Sequence, residues 1–528
     1  MINKCQQMLL TWSSYCITIW GWRKLLLSTG LGALSVLALP PINLFFVLFF
    51  TLPSLIWLLD GALETSLKAQ ADLKNKFIKR LFTKLYAARS AFLVGLTFGF
   101  GYFFVGLLWI GEAFLVEEKF IYLLPFAVTL MPLLLATFWG LACFFARVFW
   151  TSAIKNVLIL TIFLSFFEYL RGHIFTGFPW NLLGFAFDFS TAMLQSASIW
   201  GVYGLTFMVI LLSSAFSLLI NTRFKFKTVA SSLALIFFVI WAGGAIRLYY
   251  NPTQFHDDIL LRLVQGNIAQ KDKWRAEMRP VIANRYLELS ARKLSAENLG
   301  LSKITHLIWP EAAMPFLLKP ESSFMRQVTS LLNKDAYLIT GATRRQGNGD
   351  SATFYNSILA FDSQGNQLGK YDKHHLVPFG EYLPYSNLLK KIGLNKLIPM
   401  EGEFSKGKKA ANIYLKNTPP FAANICFEII FSAKVVDRKY RPEWILNVTN
   451  DGWFGETIGP HQHLAQARMR AIEEGLPTVR VANTGYTAIF DPLGRKIAHL
   501  AKGKADVLDS QLPLKVEPTI FVILTSFL

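Results

Sequence analysis

Phe421-Ala-Ala-Asn-Ile-Cys-Phe-Glu-Ile-Ile430 is the stretch on which the reading of this chain turns. Its first five residues, Phe421 to Ile425, make an apolar run of strand length, the pattern of a buried strand. Cys426 stands at the end of that run, and Glu428 follows two residues later, where a helix would begin. A strand that delivers a thiol into a turn at a helix N-terminus exposes the sulfur, and the unpaired N–H groups there favour thiolate. A lone cysteine in an apolar run is more often a small core hydrophobe. The rest of the chain has to decide between the two.

Around this stretch lie 528 residues, enough for two or more domains. The composition is 53% hydrophobic, with 46 Phe and 14 Trp, yet the net charge is +19. A basic chain often binds nucleic acid. Here the charge sits in a sequence of mean hydropathy +0.37, which points instead to a membrane protein with Lys and Arg in its loops. The four cysteines (Cys5, Cys16, Cys143 and Cys426) form no CxxC pair and no framework spacing, so neither disulfides nor zinc are expected. His374, His375, His461 and His463 lack the companion ligands of a metal site. With no GxGxxG and no P-loop, no cofactor is expected either.

Residues 1–251 read as a transmembrane helical domain. Apolar stretches at 22–39, 42–59, 90–111, 121–146, 154–170, 193–220 and 228–247 suggest seven spans, since about 20 residues cross the hydrocarbon core. Residues 8–20 are also apolar and either lengthen the first span or lie on the surface. Lys and Arg cluster at alternate breaks, and the positive-inside rule places residues 1–22, 60–89, 147–155 and 221–227 in the cytoplasm. Residues 252–513 then fall on the extracytoplasmic side. One outer loop, Arg171-Gly-His-Ile-Phe-Thr-Gly-Phe-Pro-Trp180, reads evenly as a hairpin connection or as a lipid-facing entrance. Residues 514–528 form a short apolar segment, too short to complete an eighth span.

Hydropathy drops after Asn251, and the periodicity changes to short strands separated by helices. Strands are predicted at 258–265, 304–309, 337–340, 354–361, 367–371, 421–425, 444–448, 479–482 and 488–490. Helices are predicted at 275–298, 322–333 and 461–474. This alternation predicts a layered α/β domain with a mixed sheet.

Three of the strands end at a polar residue: Glu311 after Ile308-Trp-Pro, Lys373 in Lys370-Tyr-Asp-Lys-His-His-Leu-Val-Pro-Phe-Gly-Glu381, and Cys426. Singly each has a bland explanation. Together they supply a nucleophile, a base that takes its proton, and a cation for the oxyanion. In this order and spacing they resemble the Glu–Lys–Cys signature of the nitrilase superfamily of carbon–nitrogen hydrolases. With a multi-span membrane half, and with the stretches at 171–180, 264–274, 450–471 and 482–495, the chain resembles the apolipoprotein N-acyltransferase branch.

That resemblance implies an αββα sandwich on the periplasmic side of the bacterial inner membrane. It implies acyl transfer from a phospholipid to the α-amino group of an apolipoprotein's diacylglyceryl-cysteine, by a ping-pong thioester route. Glu311, Lys373 and Cys426 match its triad, Glu381 and Glu428 its supporting glutamates, and Trp274 and Trp453 aromatic positions on substrate-binding loops. Phe427 stands where the family often has Tyr. The partners implied are the phospholipid, the apolipoprotein and the bilayer, with no nucleic acid, and a monomer is expected. A membrane-anchored amidase or nitrilase would share the triad and is the alternative; the multi-span half distinguishes them.

Overall fold

A computed structural model describes residues 2–62, 76–116, 118–221, 225–294, 301–349, 352–384 and 403–526. The chain divides into two compact units, Met1–Gly111 with Leu123–Tyr250, and Glu112–Tyr122 with Asn251–Leu528.

The first unit is helical. Five segments are long and apolar enough to cross a membrane: Thr83–Gly106, Phe120–Val148, Ala153–His173, Ala197–Ile220 and Phe226–Tyr250. Seven were expected, and the two that fall short are the first two. Helix Gly21–Ser35 has 15 residues and runs through a short 3₁₀ turn into Pro40–Pro41, which can neither donate to nor extend a helix. Phe45–Asp60 is a shorter apolar helix. Residues 8–20 do not lengthen the first span. They lie largely in a separate helix, Ile2–Thr18, parted from the next by Gly21 at φ +65°. Lys68 and Lys74 of the basic linker, and Arg223, lie outside the described residues.

Small residues let these helices meet closely. A Cβ on Gly32 would stand 1.9 Å from the Phe98 carbonyl oxygen, and one on Gly101 2.0 Å from that of Thr29. Helices Gly21–Ser35 and Lys76–Gly106 therefore touch backbone to backbone. The 171–180 loop is held by a buried ion pair. Arg171 binds both oxygens of Glu168, at 2.9 and 2.7 Å, Trp139 donates to Glu168 at 2.7 Å, and Arg171 also reaches the Phe178 carbonyl. Trp180 is fully buried and packs on Trp109, whereas Phe175 is exposed. The loop's aromatics thus split between the interior and the surface.

The second unit contains twelve described strands: β1 Phe255–Gln265, β2 His306–Trp309, β3 Tyr337–Gln346, β4 Thr353–Phe361, β5 Gln367–Asp372, β6 Asn412–Ile413, β7 Phe421–Ile425, β8 Trp444–Thr449, β9 Thr478–Ala482, β10 Thr487–Phe490, β11 Lys496–Leu500 and β12 Asp506–Pro513. They form two six-stranded sheets, ordered β12-β1-β2-β3-β4-β5 and β11-β10-β9-β8-β7-β6. In each sheet three neighbouring strands run parallel (β1, β2, β3 and β7, β8, β9), flanked by antiparallel strands. Leu261, Leu263, Ile308 and Ile339 of one sheet meet Ile425, Leu446, Val448 and Val479 of the other in a shared core. Helices Met278–Ala291 and Ser323–Leu331 cover the outer face of the first sheet, and Gly459–Glu474 packs on the second. The layers are αββα.

Every residue of β7, β8 and β9 is buried, as expected for central parallel strands covered on both faces. Of the helix expected over 275–298, Met278–Ala291 is helical, with Pro280 in its first turn, where a missing N–H costs nothing; residues 295–298 lie outside the described residues. The strand expected at 337–340 continues to Gln346 because β4 pairs with its whole length. Residues 520–525 form a single short helix after Thr519.

The Glu112–Tyr122 segment belongs to this unit although both its chain neighbours are membrane helices. The Glu112 carboxylate lies where a Cβ on Gly455 would be, 2.3 Å from its Oε2. Gly455 has φ +56° and ψ −159°, a conformation open essentially to glycine alone.

Candidate active site

The three candidate residues come from the ends of three strands. β2 ends one residue before Pro310, and Glu311 follows, with Ala312 at φ +44°. Glycine is required opposite this turn: a Cβ on Gly341 of β3 would lie 2.5 Å from the Glu311 Cα. β5 ends at Asp372, and the Lys373 amide donates to the Asn356 carbonyl of β4 at 2.9 Å. β7 ends at Ile425, and Cys426 takes φ +49° at the start of a 3₁₀ turn, Cys426–Ile430. A left-handed non-glycine residue costs about 1–3 kcal/mol and persists only where its surroundings enforce it.

These side chains meet out of water. Glu311 and Cys426 are each 8% exposed and Lys373 1%. The Lys373 Nζ lies 3.9 Å from Glu311 Oε1 and 2.9 Å from each oxygen of Glu381. Asn356 joins the two carboxylates, donating to Glu311 at 2.7 Å and to Glu381 at 2.9 Å. Glu381 also accepts the Val377 amide at 2.8 Å, which fixes the Pro378-Phe-Gly-Glu381 turn.

Glu428 performs a different task from Glu381. Its Oε1 accepts from the Tyr371 hydroxyl at 2.7 Å and from the amides of His374 and His375 at 2.9 and 3.1 Å; its Oε2 accepts the Ile425 amide at 2.8 Å. One carboxylate thereby ties the Cys426 turn to the Lys373 loop. Burial pushes this carboxyl up, but the hydrogen bonds and charge of His374, with Lys373 and the Ile425 amide, hold it below the usual range. That stabilisation is complete above the ordinary value of about 4.5 and is lost as pH falls through the lower folded value. Glu428→Ala is expected to strand three peptide N–H groups and to lower stability by about 3 kcal/mol or more. Thermal unfolding of the purified protein checks it, and an unchanged Tm would contradict the tethering role.

The electrostatics correct one expectation. A helix N-terminus was to favour the Cys426 thiolate, but the turn here is five residues of 3₁₀ helix. Burial first, and the Glu311 carboxylate second, push the thiol well above its ordinary range despite Lys373. The thiol form is thus favoured, and Cys426 would need a base to act as a nucleophile. Burial raises the Glu311 carboxyl too, with Lys373 pulling it down and Glu381 pushing it up. Burial alone would lower the Lys373 ammonium, yet Glu381 and Glu311 hold it above its ordinary value.

Behind Cys426 lies a cluster that sequence reasoning missed. Asp451 is gripped by Arg480 at 2.9 and 2.7 Å, and by the Thr449 hydroxyl at 3.0 Å. His463 Nδ1 lies 3.0 Å from Asp451 Oδ1 and 3.1 Å from Arg480, and its Nε2 lies 3.1 Å from the Cys426 carbonyl. Burial first, and Arg480 second, push this imidazole below its ordinary range, while Asp451 and the Cys426 carbonyl pull it up; a proton on Nε2 lets the ring donate to that carbonyl. His463, dismissed as a metal ligand, braces the turn that carries the thiol. Asn356 and Lys273 were missed as well. Trp274 is 42% exposed on the turn after Lys273, and Trp453 is half-buried in the turn Asp451–Phe454. Neither has a hydrogen bond or ring contact to Glu311, Lys373 or Cys426. The Phe427 ring packs edge-on against His375 and Phe431. Among the described residues no group of three or more His, Cys, Asp or Glu could hold a metal.

Two family models match the chain: carbon-nitrogen hydrolase over residues 261–518, and apolipoprotein N-acyltransferase N-terminal domain over residues 31–215. An apolipoprotein N-acyltransferase of Rhodopseudomonas palustris is 42% identical over 517 residues, covering 96% of this chain and 93% of the relative. One from Bradyrhizobium diazoefficiens is 42% identical over 513 residues, covering 96% and 92%. Among solved structures, the nitrilase-superfamily protein Nit3 of Saccharomyces cerevisiae aligns at 16% identity over 48% of this chain and 89% of its own, with a TM-score of 0.34.

Proposed function

The chain belongs to the apolipoprotein N-acyltransferase family, and from that membership we propose that it matures lipoproteins through a thioester on Cys426. In the first half-reaction Glu311 takes the Cys426 proton and the thiolate attacks the ester carbonyl of a phospholipid. A C–S bond forms, Lys373 faces the oxyanion, the C–O bond breaks, and Glu311 returns its proton to the departing lysophospholipid oxygen. In the second, the α-amine of the apolipoprotein's diacylglyceryl-cysteine attacks the thioester. A C–N bond forms, the C–S bond breaks, and the amine's proton passes through Glu311 to the sulfur. Glu381 and Asn356 keep Lys373 and Glu311 in register throughout.

The observation that supports this most is the burial of all three groups. A thioester that waits for a second lipid-bearing substrate survives only where water is scarce. The five apolar spans suit a donor drawn from the bilayer. The α/β unit would stand on the periplasmic side of the inner membrane.

The test uses full-length protein in vesicles whose phospholipid carries a labelled acyl chain. The expected result is a mass shift on Cys426, followed by transfer of the label to a diacylglyceryl-peptide amine. Free fatty acid with no transfer would move the chain to the hydrolase reading. Topology reporters fused near residues 75 and 300 should report opposite faces; the same face for both would overturn the orientation.

A further inference from the structure

Lys373 is committed before the reaction begins. Both Glu381 oxygens sit 2.9 Å from its Nζ, while Glu311 is a full ångström further away. When Cys426 gives its proton to Glu311, a negative charge moves onto sulfur, and one lysine then faces a thiolate and a carboxylate. Buried charge without a counter-charge is strongly disfavoured. The site needs a second cation, and one is present.

Lys273 is 2% exposed and lies on the turn just after residues 266–270. Its Nζ donates to the Glu311 main-chain carbonyl at 3.2 Å, its sole hydrogen bond. The other buried cations of this unit are each matched to a carboxylate: Arg262 to Asp509, Lys373 to Glu381, Arg470 to Glu473 and Arg480 to Asp451. Lys273 alone among these described residues has no such partner. An ammonium has three donors, and only one is used.

We propose that Lys273 is a positioning residue that clamps the Glu311 turn and supplies the second positive charge for the Cys426 thiolate. With it protonated, the pair of lysines balances Glu381 and whichever of Glu311 and Cys426 carries the negative charge, so the proton can move between them without leaving a net charge in the interior. The titratable groups facing it are Glu311 and Cys426, with Lys373 and Glu381 beyond Glu311. On its own turn, Asp272 is paired with Arg275 at the surface. Burial brings the Lys273 ammonium down to about 8, against the pull of Glu311 and Cys426. It is therefore charged at neutral pH and loses its proton in the mildly alkaline range.

The inference rests on Cys426 being the acylated residue, and its test separates the two claims. Single-turnover acylation of Cys426 from phospholipid is followed across pH in wild type, Lys273→Met and Lys273→Arg. Lys273→Met should slow acylation about a hundredfold at neutral pH, the scale for losing one charge-stabilising group, with little change in KM. Arginine, which cannot deprotonate, should restore the rate to within about threefold and abolish the alkaline decline that wild type shows as pH rises through about 8. Full activity in Lys273→Met, or the same alkaline limb in wild type and Lys273→Arg, would overturn the proposal. Should Lys273→Met lose its cooperative melting transition, the wild-type and arginine profiles decide alone. Absence of any adduct on Cys426 in wild type would sink the thioester reading itself.

Discussion

Cys426→Ala leaves no acyl-enzyme and no transfer: that is the largest effect expected from any single change in this chain. Removing a covalent nucleophile costs on the order of 10⁴–10⁶ in rate, and nothing else among the described residues places a thiol near Glu311 and Lys373. Cys16 and Cys143 are buried in the helical unit, and alanine there should leave acylation intact at a packing cost of about 1 kcal/mol. The check is intact-protein mass after incubation with phospholipid. A label that persists in Cys426→Ala would place the nucleophile elsewhere.

Glu311→Gln comes second. Glutamine keeps the shape and can still meet Asn356, but it cannot hold the proton, and the expected loss is on the order of 10²–10⁴ in both acylation and transfer. The pH profile adds a test of sign. Because burial raises the Glu311 carboxyl, the wild-type rate should fall as pH drops through a value above the ordinary 4.5, where the base becomes protonated. That acid limb should be missing from the residual activity of Glu311→Gln. Normal single-turnover acylation in this variant would remove Glu311 from the base role.

How much of this could be read from the sequence depended on burial. β7 was legible residue for residue because a central parallel strand is apolar on both faces, and the same holds closely for β8 and β9. β11, reading Lys496-Ile-Ala-His-Leu500, and β12, reading Asp506-Val-Leu-Asp-Ser-Gln-Leu-Pro513, lie at the edges of the unit's pattern and carry charge, so they passed for loop. β6 is two residues long, below any periodicity. In the site, the ends of β2, β5 and β7 were visible as a polar residue closing an apolar run. Lys273 was not, because a lysine in Lys271-Asp-Lys-Trp274 looks like any solvated turn. Asn356 sits mid-strand, where only the register of β4 shows that it points between two glutamates. The resting thiol was misjudged because a local cue, the start of a helical turn, was weighed without the desolvation that only packing reveals.

Glu112 seated against Gly455 has a practical consequence for anyone dividing the molecule. A recombinant fragment beginning at Asn251 would be cut from all of the helical unit, yet it would also lose residues 112–122, a piece of its own body. The bared glycine belongs to the turn that follows Trp453 and whose carbonyl is held by Lys502 at 2.6 Å. Solubilising the α/β half by truncation therefore removes a splint from the turn whose Asp451 meets His463 behind Cys426. A peptide spanning 112–122, supplied in trans or grafted by a linker, is the natural repair.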